Sequence, residues 1–165
     1  MTIAVSREAV SYGSPDGALL LGAARQVISG VGATRTLLTK ESGALCLFDA
    51  ATGAIFTLPA PTANNIGIYY DFLVTVSVTS NAHKVITDAA TTFIVGAVTM
   101  VTIATASPAG FSANGTTIRA LSAAGTTTGG LIGETYRLQL LNTTQWGISG
   151  VCVGSGTIVT PFATS

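Results

Sequence analysis

The chain has 165 residues, of which 48% are hydrophobic and only 8% charged, and seven Lys/Arg balance seven Asp/Glu. A typical soluble domain carries about 25% charged residues, so most of this surface must be Thr, Ser, Ala and Gly. Zero net charge and no basic stripe exclude nucleic acid as the expected partner. So few charges also point to a surface covered by copies of the chain or by another protein.

The opening MTIAVSREAVSYGSPDG has no basic stretch followed by a sustained apolar run, so no signal peptide is expected. Residues 1–34 hold Arg7, Glu8, Asp16 and Arg25 among glycines and a Ser-Pro-Asp turn. They read as an extended arm ordered by docking, in which REAVSY and GALLLGAARQVIS form at most a turn or two of helix. A β domain is expected over 35–153 and a Gly/Ser/Thr-rich tail over 154–165.

Strand signals begin at ALCLF and AIFTL, joined by DAATG (49–53), which reads as a hairpin loop. Pro59 and Pro61 end the second strand, because neither donates a ladder hydrogen bond. In IGIYYDFLVTVSVTS, Ile68, Tyr70, Phe72, Val74, Val76 and Val78 share one apolar face. HKVIT follows, then TFIVGAVTMVTIAT with a bend near Gly96, a loop-like SPAGFSANG, and TTIRALS. TYRLQLL alternates again, placing Tyr136, Leu138 and Leu140 opposite Arg137 and Gln139, before QWGISGVCV and a short GTIVT.

Residues 89–118 carry no charge and are long enough for a membrane span. Val, Ile and Thr dominate over Leu, SPAGFSANG interrupts the run, and flanking anchors are missing, so buried strands are expected and no membrane partner. Short strands punctuated by Gly, Asn, Pro and Ser predict an all-β fold, an antiparallel β-sandwich or β-barrel of jelly-roll type.

Groups that carry chemistry are scarce. His83 is the single histidine, and no G-x-S-x-G elbow accompanies it to complete a triad with Asp71 or Asp88. Asp49, Asp71, Asp88 and Glu134 stand singly, without the local pairing of a glycosidase. Cys46 and Cys152 lie in apolar runs and read as small buried hydrophobes, with a disulfide between them left open. One His and two distant Cys lack metal-ligand spacing, GVGATR and GTTTGG lack the phosphate-binding pattern, and the sequons at Asn114 and Asn142 are expected by chance in a Thr-rich chain. Trp146 reads as a core or intersubunit anchor before a sugar platform. No catalytic, cofactor-binding or metal-binding residue is assigned, and the Thr-rich region 89–131, nearly uncharged, reads as buried strands and an oligomer interface.

Ser42 to Thr87 taken whole resembles a module of tailed-phage virion proteins: an apolar strand, an Asp-x-x-x-Gly turn, a F-T-L-P-x-P strand end and a Gly-led long strand. GETYRLQLLNTTQWGISG is similar to the closing part of the same proteins, so the resemblance covers 36–153. Short chains of this group resemble head decoration (cement) proteins. The resemblance implies a non-enzymatic β-rich homotrimer made in the bacterial cytoplasm. It would sit on the outer capsid surface, contact the major capsid protein and bridge capsomers. Fibre and tail-tip proteins carry similar modules, which keeps host attachment as the alternative. Absence of coiled-coil heptads and long repeats favours decoration.

Overall fold

The computed structural model describes residues 25–31, 34–103 and 107–165. Most of the expected arm, 1–24 and 32–33, lies outside the described residues, as do 104–106 at the end of TFIVGAVTMVTIAT. The described chain is all-β apart from one 3-10 turn at Thr39–Glu41, and two mixed sheets pack as a sandwich.

The strands are β1 (Val27–Ser29), β2 (Thr34–Thr36), β3 (Leu45–Phe48), β4 (Ala54–Thr57), β5 (Tyr69–Val74) and β6 (His83–Ile86). They continue with β7 (Phe93–Thr102), β8 (Ala109–Asn114), β9 (Ala120–Ala123), β10 (Thr135–Asn142), β11 (Gln145–Gly154) and β12 (Phe162–Ala163). The seven-stranded sheet runs β1-β3-β5-β10-β11-β7-β8, and the five-stranded sheet β12-β9-β6-β4-β2.

From β1 to β6 the chain changes sheet at every turn, so successive strands within a sheet run parallel: β1 with β3, β3 with β5, β2 with β4 and β4 with β6. This corrects the antiparallel expectation. DAATG is therefore a crossover and not a hairpin. Phe48 before it and Phe56 after it meet edge to face across the interior, with ring centroids 5.2 Å apart. Two large apolar side chains flanking a short turn are both buried when the turn carries the chain from one layer to the other.

Alternation sets the core. Tyr70, Phe72 and Val74 of β5, Tyr136, Leu138 and Leu140 of β10, and Trp146, Ile148 and Cys152 of β11 point inward from the large sheet, against Phe56, Val85 and Leu121 of the small one. The stripe expected to run on to Val78 is interrupted. Thr75 and Val76 both donate backbone N–H groups to the Phe48 carbonyl, which bends the chain off the ladder and leaves Val76 exposed.

Two further differences concern weakly marked strands. Part of the loop-like SPAGFSANG is β8, an edge strand antiparallel to β7, in which Ala113 is buried and Phe111 packs partly against the core. GTIVT is not a strand: the Val159 N–H bonds the Thr127 carbonyl, and the final strand is β12, paired with β9. Pairing of Val27–Ser29 with β3 and of Phe162–Ala163 with β9 places the expected boundaries at 35 and 153 inside the folded sheets.

Candidate functional site

Each residue considered for chemistry has a definite place. His83, on β6, is fully buried against the Phe48 ring at 4.6 Å. Its Nε2 lies 3.0 Å from the Val76 carbonyl and Nδ1 has no partner, so neither nitrogen meets a serine or a carboxylate among the described residues. Burial lowers its pKa and favours the neutral ring. Cys46 and Cys152 are free and buried, on strands separated in the sheet by β5 and β10, which rules out the disulfide. Burial pushes the Cys46 thiol up to about 12, the range of an inert thiol.

The carboxylates do not converge. Asp49 caps the turn after β1, accepting from Ser29 Oγ at 2.6 Å and from the Gly30 N–H at 3.0 Å. Asp71 lies on the outer face of the large sheet, and Asp88 is exposed after β6. Glu134 is wholly buried at the start of β10. No group of three or more His, Cys, Asp or Glu able to hold a metal occurs among the described residues. No helix among them is long and apolar enough to cross a membrane. Trp146 is fully buried, with its ring 6.1 Å from Tyr70, and is therefore a core residue.

What remains is surface, and the outer face of the large sheet divides in two. On one half Asp71 receives the Arg137 guanidinium at 2.6 and 2.8 Å and is paired with Arg25 as well. Arg137 also lies over the Tyr69 ring, 4.4 Å from its centroid. Burial alone would raise the Asp71 pKa, but the hydrogen bonds from the two arginines hold it below its ordinary value. The other half, β11, β7 and β8, contains no charged residue. It presents Ala97, Thr99, Val101, Ser149 and Val151, ends on the open edge of β8, and adjoins the exposed Ile103.

Two open hollows break the outer surfaces. One, of about 400 Å³, lies where Gly147 and Ser149 leave the middle of the large sheet low between Arg137, Gln139, Leu141 and Val95. The other, of about 350 Å³, is lined on the small sheet by Thr34, Thr52, Asn81, Lys84 and Ser122. No known family model matches the chain, and no curated protein or solved structure is significantly similar to it.

The alternation of β5 and β10 places Asp71 and Arg137 on polar faces, but only their register, Arg137 opposite Asp71, makes them a pair. Arg25 joins them from a segment whose sequence carries no strand pattern. A charged residue on the outward face of each of two strong strands is the signal that could have suggested this pairing.

Proposed function

We propose that this chain is a head decoration protein of a tailed bacteriophage, acting as a homo-oligomer on the outer capsid surface and bridging capsomers. The observation that supports this reading is the uncharged half of the large sheet, β11-β7-β8. Built of small, hydroxylated and aliphatic residues, it has the composition of an interface centre, from which charged residues are depleted. A trimer built there would leave the Arg25–Asp71–Arg137 half free for the capsid. Several modest contacts per oligomer then act together through effective concentration.

Electron microscopy of virions carrying a labelled copy tests the proposal. Density at regular positions on the head is the expected result, and label confined to the tail or fibres overturns it. Heads lacking the protein should release DNA at a lower temperature. The parallel coil β1–β6 favours the alternative of a fibre or tail-tip module, because such rungs stack lengthwise. That reading requires label at the tail and inhibition of adsorption by the purified protein.

A further inference from the structure

Glu134 is the least expected side chain in the interior. It immediately precedes β10, wholly buried, and the backbone wraps around it. Its Oε2 accepts the Gly130 N–H at 2.7 Å and the Val153 N–H at 3.1 Å, while Oε1 is buried with no partner among the described residues. Gly129 adopts φ +92°, and a Cβ there would stand 2.5 Å from Oε2, so only glycine lets the chain close over the carboxyl group.

Through these two bonds Glu134 joins the loop 124–133 to β11. The same loop holds two other parts of the chain. Val78 donates to the Gly130 carbonyl and Gly133 to the Val74 carbonyl, which ties the loop to the end of β5. Ser155 and Val159 donate to the carbonyls of Thr126 and Thr127, so the segment leading to β12 rests on the loop. Two exposed aliphatic residues, Ile132 and Val159, sit at this end of the sandwich.

The groups facing Glu134 are Cys152 from β11, whose thiol donates to it, and Tyr136 from β10, whose buried hydroxyl has no partner among the described residues. Neither the loop 124–133 nor the stretch 74–78 contains an ionisable side chain. Among the described residues, these stretches therefore bring no cation to balance a carboxylate. With a proton on Oε1 the group is a neutral clasp whose Oε2 still accepts both N–H groups. Without it, a bare anionic oxygen is held in an apolar interior, which is unfavourable unless water reaches it.

We propose that Glu134 is a proton-operated latch: protonated, it holds the loop 124–133 and the segment before β12 on the sandwich, and its ionisation lets them open. Burial raises its pKa from 4.5 to about 7, against the opposing pull of the two backbone N–H bonds and the thiol. A raised folded-state value means that closure is favoured fully below 4.5 and loses ground as pH rises to about 7, after which the effect is complete. Opening should grow about tenfold per pH unit across that window, about 300-fold in all.

Amide hydrogen exchange of the full chain, corrected for the intrinsic pH dependence, reads this directly. Protection of peptides spanning 124–134 and 153–163 should fall between pH 5 and 7 and level off above, while β4 and β6 keep theirs. Glu134→Gln keeps an acceptor for both N–H groups and cannot ionise, so its protection should not vary with pH. A wild-type loop indifferent to pH, or a Gln variant with unchanged dependence, overturns the latch. Should the Gln variant fail to fold, carbon-13 titration of the Glu134 carboxyl in the wild type decides: a midpoint near 7 supports the latch and one near 4.5 sinks it.

Discussion

From Val27 to Ile86 the chain changes sheet at every turn, whereas β7, β10 and β11 run eight to ten residues each and lie side by side in one sheet. In the coil, polar side chains fasten each turn to its neighbour: Asp49 to Ser29 and Gly30, and Asn81 Nδ2 to the Thr52 carbonyl at 2.9 Å. In the ladder block, no charged side chain occurs on β7 or β11, and ten consecutive residue pairs join the two strands. Short strands need their turns pinned, because a short ladder gives little cooperativity. Long strands hold their register by ladder length and by a one-sided core.

The largest effect should follow from emptying the core of the ladder block. Trp146→Ala removes a fully buried indole beside Tyr70, and a loss of about 4 kcal/mol is expected in denaturant unfolding. A loss below about 1 kcal/mol would mean that the block is not anchored through β11, and the contrast with the coil would fail. Next comes the close approach of β7 to β11. Gly96 has φ +125°, and a Cβ there would stand 2.2 Å from the Ile148 carbonyl oxygen. Gly96→Ala should cost about 3 kcal/mol through backbone strain and displacement of the ladder. Urea midpoints that coincide for variant and wild type would show that the strands separate there without penalty.

Much of the ladder block is legible in the sequence, and the coil far less so. Tyr136, Leu138 and Leu140 alternate with Arg137, Gln139 and Leu141, and a single buried face makes that period visible. Periodicity states which side chains are buried but not which sheet buries them. Phe48 and Phe56 look the same whether DAATG folds back as a hairpin or crosses between layers. Ala109–Asn114 is obscured by Gly, Ser and Asn, whose composition reads as loop although Ala113 faces the core. Glu134 is hidden for another reason: a carboxylate at a strand start reads as solvated, and nothing local announces that Gly129 and Gly130 fold over it. The nearly uncharged region 89–131 was legible as a composition, and the structure distributes it over β7, β8 and β9 in both sheets.

A smaller effect separates the coil's core from its pins. The buried Tyr70 hydroxyl donates to the Leu38 carbonyl at 2.8 Å, tying β5 to the stretch before the 3-10 turn. Tyr70→Phe keeps the ring and removes that bond, so about 1 kcal/mol should be lost. Exchange protection should weaken around residues 38–44 and hold in β10 and β11. Equal weakening of β11 would show that coil and ladder block open as one unit.

The smallest effect is expected at the seam, where Asp71 of the coil's last strand in the large sheet faces Arg137 of β10. The Asp71 side chain is 16% exposed, but Arg25 and Arg137 are 36% and 52% exposed, so solvent screens the pair. Asp71→Asn should therefore lose no more than about 1 kcal/mol at low salt, and less as salt is added. The sign with pH is opposite to that at Glu134. The Asp71 pKa is held below 3.8, so its contribution is present above that value and fades as pH falls below it. The variant should accordingly lose part of the acid limb of the stability curve and leave the limb between 4.5 and 7 unchanged. If Asp71→Asn instead flattens the curve across 4.5 to 7, the two carboxylates are coupled through β10, and the seam transmits what happens in the core to the outer face.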